Sequence, residues 1–224
     1  MGSVTKSQSQ NIKSPEGNSL AVFVDGNDDV MKVKDVRGNV QKLTDYIPSI
    51  PPTISYGLYA QLEDSIPVTA TTEELSLIDG GVGTLTIPAN GFSVGDSFQA
   101  LFIGVISCVG TATLDIKIKT ETGVLLADTS IVGMDVTTNK KWRLDVNFTI
   151  RNTGIAGVAS IVSGGLFSYT KNSGLNFEGS NFSLVNNTTF DTTIQNKLVV
   201  TAQWNTNNGG NSIYTQVFTL NKIY

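Results

Sequence analysis

Few residues in this chain carry chemistry, and each sits in a pattern that can be tested. DGNDD (Asp25–Asp29) places three carboxylates and an amide within five residues, the oxygen-rich set that calcium takes. A helix–loop–helix calcium site needs Gly at its sixth position and an acid at its twelfth. Counted from Asp25, those positions hold Val30 and Val36, so the stretch reads as a hairpin turn. Glu73 and Glu74 are adjacent acids, but a pair that cleaves a glycosidic bond must converge across a cleft at about 5–10 Å. Nothing in the sequence supplies that cleft, and the two read as a solvated strand edge. Gly80-Gly81-Val82-Gly83 lacks the Lys-Ser/Thr of a phosphate loop and reads as a turn. Trp142, Trp204, Tyr169 and Tyr56 have the rings that stack on sugars, but Trp142 and Trp204 fall in phase with core positions and are expected inside.

Two further counts narrow the chemistry. There is no histidine, which removes Ser-His-Asp and Cys-His catalysis, His-ligated metals and His-based pH switching. There is one cysteine, Cys108, set in an apolar run, so it reads as a buried small hydrophobe and no intrachain disulfide forms. The expectation is a protein that is not an enzyme and holds no cofactor and no tightly bound metal.

Composition points the same way. Charged residues make up 15% of the chain against about a quarter in an ordinary soluble domain, so solubility falls to Asn, Thr, Ser and Gly. Net charge is -4 with no basic cluster, which argues against nucleic acid as a partner. No stretch approaches the ~18 apolar residues of a membrane span, and the polar N-terminus does not read as a signal peptide.

The elements that must position any site read as strands throughout, giving an all-β expectation in three parts. Residues 1–47 hold a polar arm (1–15) and a short β-meander built from LAVFVD (Leu20–Asp25), VMKVKDV (Val30–Val36) and VQKL. The meander is too small to stand alone, so its apolar set, Leu20, Val22, Val24, Met31, Val33 and Val36, is expected to dock on something. Residues 48–66 take in most of IPSIPPTISYG (Ile47–Gly57), whose prolines predict a stiff neck. Residues 67–224 hold eight expected strands: Leu75–Ile78, Thr84–Ile87, Ser97–Val109, Thr113–Thr120, Trp142–Arg151, Ala156–Tyr169, Leu198–Trp204 and Ser212–Tyr224. Eight strands between Gly/Asn/Thr-rich turns predict a jelly-roll sandwich.

These strands are of two kinds. Trp142, Leu144, Val146, Phe148 and Ile150 oppose polar residues, as do Leu114, Ile116 and Ile118, which predicts strands with one wet face. SFQALFIGVISCV instead sets Phe98, Ala100, Phe102 and Ile106 against Leu101, Ile103 and Val105. The final SIYTQVFTLNKIY sets Tyr214, Phe218, Leu220 and Tyr224 against Ile213, Val217 and Ile223. A sheet with no wet face is expected to be covered by another copy of the chain.

This pattern over about residues 70–224 resembles a TNF-like or C1q-like jelly roll, in which such strands form an inner sheet around a threefold axis and the wet strands form the outer sheet. GFSVGDSFQ (Gly91–Gln99), WRLDVNFTIR (Trp142–Arg151), NNTTFDTTIQNKLVVTAQW (Asn186–Trp204) and SIYTQVFTLNKIY are similar to a jelly-roll domain of phage and other viral structural proteins. SPEGNSLAVFVDGNDDVMKVKDVRGNVQKL resembles the short β-modules that open phage fibre proteins. The resemblance is to head-fibre or capsid decoration proteins. It implies a homotrimeric virion component on the capsid surface, made in the host cytoplasm and anchored to capsid or other virion proteins through residues 1–47. It places Leu101, Ile103, Val105, Tyr214, Phe218, Leu220 and Tyr224 at the trimer interface. The alternative is a receptor-binding module of a phage tail fibre that recognises a host-surface glycan through Lys171–Asn176 or Asn205–Asn211.

Overall fold

SFQALFIGVISC (Ser97–Cys108) alternates buried and half-buried side chains along its whole length, and around it the larger part of the chain is built. The computed structural model of the protein describes residues 6–7, 12–16, 20–43, 57–172 and 176–224. It forms two compact units, residues 1–54 and 55–224. All regular structure among the described residues is β.

In the first unit, strands β1 (Lys6–Ser7), β2 (Ala21–Asp25), β3 (Met31–Lys34) and β4 (Val40–Lys42) form one sheet in that order. The β2–β3–β4 run is the expected meander, with Val22 opposite Val33 and Val24 opposite Met31. β1 adds a parallel edge to β2 that the sequence reading did not include. The expected proline neck lies outside the described residues as far as residue 56.

The second unit contains β5 (Tyr59–Gln61), β6 (Val68–Thr69), β7 (Leu75–Ser76), β8 (Gly81–Gly83), β9 (Thr86–Ile87), β10 (Ser97–Cys108) and β11 (Thr113–Thr120). These are followed by β12 (Leu125–Asp128), β13 (Val132–Gly133), β14 (Thr137–Asn152), β15 (Ser160–Thr170), β16 (Phe177–Asn186), β17 (Asn196–Trp204) and β18 (Ser212–Lys222). They form an all-β sandwich. The larger sheet runs β16-β15-β14-β10-β18-β5-β8, with β6 also paired to β18. The smaller runs β12-β11-β17-β7, with β13 on β11 and β9 on β17. Every pairing in the sandwich is antiparallel. Among the strands from β10 onward the chain crosses between sheets at β10–β11, β13–β14, β16–β17 and β17–β18. β10 and β18, far apart in sequence, thereby lie side by side.

One core fills the space between the sheets. From the larger sheet come Phe98, Phe102, Trp142, Leu144, Phe167 and Phe218; from the smaller come Leu114, Ile116, Ile118, Val200 and Trp204. Phe102 and Phe218 stack flat, with centroids 4.2 Å apart and planes 6° apart. Burying rings of this kind contributes about 2–3 kcal/mol each, which holds β10 to β18 from within the sandwich.

Three expectations need correction. Eight strands were too few: the short β5, β6, β8 and β13, the four-residue β12 and the ten-residue β16 all pair in the sheets. The head does not begin at residue 67, because Tyr59 and Ala60 pair with Leu220 and Thr219. The Tyr59 hydroxyl also donates to the Asp79 carbonyl at 2.5 Å, which ties the β5 edge down. Finally, Trp142–Arg151 was expected in a separate wet sheet but lies between β15 and β10, inside the larger sheet. Its alternation is as read, with Trp142, Leu144, Val146, Phe148 and Ile150 all buried. One wet face per strand does not sort strands into sheets, since wet and apolar outer faces adjoin in the same sheet.

Candidate functional site

In the first unit the docking set divides. Leu20, Val22, Met31 and Val36 are exposed, Val24 is half-buried, and Val33 is 1% exposed and belongs to the unit's own interior with Phe23. The apolar side chains left exposed on this unit are therefore Leu20, Val22, Met31 and Val36, joined by Val40 and Leu43.

The DGNDD stretch is a hairpin turn, and a lysine takes the place a cation would occupy. Lys32 Nζ lies 2.9 Å from Asp25 Oδ2 and 2.8 Å from Asp28 Oδ2. The Asn27 N–H donates to Asp25 and the Val30 N–H to Asp28. The Lys32 ammonium and these N–H groups hold both carboxyls below the usual range. In the next turn Asp35 is lowered by the Asn39 side chain and the Asn39 N–H. A carboxyl lowered on folding stabilises the fold above its unfolded value and loses that contribution as pH falls through its folded one. Lys32 is shifted upward, so its contribution persists through neutral and acid pH until the carboxylates protonate. Acidification from pH 6 to pH 2 should therefore open both turns. Amide resonances of Asn27 and Asn39 should lose their folded shifts; turns unchanged at pH 2 would contradict this.

The outer face of the larger sheet carries an apolar strip on β10 and β18. Leu101, Ile103 and Val105 are half-buried there. Ile103 stands opposite Val217, and Val105 opposite Tyr214. On the other side, β14 sets Asp145, Arg143 and Lys141 opposite the same three residues, and an Arg143–Asp145 ion pair of 2.5 Å closes that border. Lys141 Nζ reaches Gln216 Oε1 at 2.6 Å. An apolar centre with a polar border is the layout of an association surface.

The strip differs from the expected interface because of one residue. Gly104 pairs with Thr215 and Ile103 with Val217, which leaves Gln216 unpaired in a bulge. The bulge reverses the alternation of β18. Tyr214 points outward, but Phe218 and Leu220 point into the core at 0% and 7% exposure. Ile213 goes inside and Val217 comes out, 43% exposed. Tyr224 is 82% exposed, two residues beyond the end of β18. Leu101, Ile103, Val105 and Tyr214 thus share one face with Val217, while Phe218 and Leu220 do not lie on it. Gly104 completes the arrangement: the Trp142 indole N–H donates to the Tyr214 carbonyl at 3.0 Å, in space a β-carbon on Gly104 would fill.

The remaining candidates are spent on structure. Glu74 is an ion-pair partner on the smaller sheet, bound to Lys119, to Lys117 and to the Thr201 hydroxyl. Burial pushes the Asp115 carboxyl up, and the neighbouring Asp128 adds to that, against the pull of Lys117 at 3.2 Å. Burial also pushes the Cys108 thiol up to about 11, and the thiol donates to the Asp135 carbonyl. Trp142, Trp204 and Tyr169 are each 1% exposed, and the Trp204 indole donates to the Val68 carbonyl at 3.0 Å. Tyr56 lies outside the described residues. In the Asn205–Asn211 loop, Asn205 accepts from the Thr113 N–H and Asn211 from the Val109 N–H, which tie the loop to the β10–β11 turn, and Asn208 accepts from the Gly210 N–H within it. In the Lys171–Asn176 loop, whose residues 173–175 lie outside the described residues, Lys171 bridges Asp135 and Glu178. No group of three or more acidic or cysteine side chains among the described residues is placed to hold a metal ion. No family model matches the chain, and no curated protein matches it.

Proposed function

We propose that this is a structural virion protein, a homotrimeric head fibre or capsid decoration protein, with the first unit as its anchor and the sandwich as its head. The observation that carries the reading is the apolar strip of Leu101, Ile103, Val105, Tyr214 and Val217 on the outer face of the larger sheet. Water-facing antiparallel sheets place polar residues there, and a second copy removes such a strip from water. The strand order supports a jelly-roll reading of the head: β5-β18-β10-β14 faces β7-β17-β11-β12, with β15 and β16 as an added hairpin. The exposed Leu20, Val22, Met31 and Val36 support the anchor. The glycan-binding alternative gains no support from the Asn205–Asn211 loop, where the side-chain oxygens of Asn205, Asn208 and Asn211 already accept backbone hydrogen bonds.

Light scattering tests the reading. Three copies of a 23.9 kDa chain give about 72 kDa, and a monomer at micromolar concentration would reject the trimer. Removing residues 1–54 should leave that mass intact while abolishing attachment to stripped particles. Equal attachment by the shortened protein would reject the anchor.

A further inference from the structure

β16 closes one end of the larger sheet, and no strand among the described residues pairs with its outer edge. The Lys171 N–H donates to the Asn176 carbonyl at 2.9 Å, which sets the phase of the β15–β16 ladder. Ten uninterrupted pairs, from Thr170 opposite Phe177 to Ile161 opposite Asn186, carry that phase along the strand. Hydrogen-bonded pairs recur at every second residue, so the even-numbered residues of β16 turn their backbone groups toward β15. Phe177, Gly179, Asn181, Ser183 and Val185 turn theirs outward.

Edges of this length are ordinarily blunted by Lys, Pro or a bulge. FEGSNFSLVN has none of these, and its one charge, Glu178, is bound to Lys171. Phe182 lies opposite Gly165, where the absence of a side chain leaves room for its ring, so the strand is held firmly to β15. Phe177 and Val185 remain 75% and 51% exposed near the two ends of the edge.

We infer that β16 pairs antiparallel with β16 of a second copy about a twofold axis at Asn181. In that register Phe177 meets Val185, Gly179 meets Ser183 and Asn181 meets its own counterpart. All five outward residues then exchange backbone hydrogen bonds. Apolar residues meet apolar ones, polar meet polar, and no like charges face each other. A slip of two residues would set Phe177 against Ser183 or Asn187 and lose that match. The edge is separated from the β10–β18 strip by β14 and β15, so the pairing neither needs nor replaces a threefold head. Where both contacts form, it joins one trimer to another.

The test is Asn181→Cys under mild oxidation, read on a non-reducing denaturing gel. Residues directly opposite in a hydrogen-bonded pair lie about 5.5 Å apart at Cα, within the reach of a disulfide. Cys108 is buried and stays silent. Most Asn181→Cys chains should run as covalent dimers, far ahead of an Asn207→Cys control on an exposed loop. Ser183→Pro in the same background removes an outward N–H without touching the β15 ladder and should abolish the dimer. The gel counts covalent pairs whether or not the head is a trimer, so failure of one idea is read separately from failure of the other. Asn181→Cys that cross-links no faster than Asn207→Cys, or that still dimerises with Ser183→Pro, overturns the inference.

Discussion

Gly104→Ala should cost the sandwich about 3 kcal/mol, from overpacking and a lost hydrogen bond together. A β-carbon built on Gly104 would lie 1.9 Å from the Tyr214 carbonyl oxygen and 2.6 Å from the Trp142 indole nitrogen. Neither obstacle is the loose end of a flexible side chain. The carbonyl belongs to the backbone of β18 beside its bulge, and the indole is buried and donates to that same carbonyl. The methyl must break the bond between them or push β18 away from β10. For a chain of this size the loss corresponds to a fall of roughly 10 °C in Tm. Gly209→Ala is the control, since a β-carbon there meets nothing within 4 Å. A Gly104→Ala protein that melts with the parent would show that the Trp142–Tyr214 contact is not part of the native packing.

Neighbouring residues on β18 should respond to the same substitution in opposite ways. Phe218→Asp removes a ring stacked on Phe102 and leaves a carboxylate at a position with no exposure, which costs several kcal/mol and should leave no folded head. Val217→Asp places its charge on the outer face, opposite Ile103. The fold should survive, with a melting temperature lowered only by the stabilisation that assembly lent it, and on the proposed trimer the mass in solution should drop from about 72 kDa to that of one chain. Circular dichroism and light scattering on the two variants separate folding from assembly. If Val217→Asp remains a trimer, the β10–β18 strip is not the trimer contact. If it unfolds, the strip belongs to the core.

By itself the sequence determined the all-β class and the inward sides of three long strands, β10, β11 and β14. Alternation along Ser97–Cys108, Thr113–Thr120 and Trp142–Arg151 is a local property, since successive side chains of a strand leave it on opposite sides. The failed calcium spacing at DGNDD was local too, and the turn and its lysine agree with it. The tertiary structure alone decided which strands share a sheet. Trp142–Arg151 has the same alternation in either sheet, and only its pairing with β10 and β15 puts Arg143 and Asp145 beside the apolar strip. β16 gave no signal because an edge strand outside the main core needs no apolar face; Phe177, Phe182, Leu184 and Val185 are split between its two sides. The bulge at Gln216 had the largest consequence. It inserts one residue against β10, and with a period of two that single residue exchanges the inner and outer sides of everything after it. Phe218 and Leu220 therefore went to the core and Val217 to the surface, because register is a property of two strands and is not written in either one.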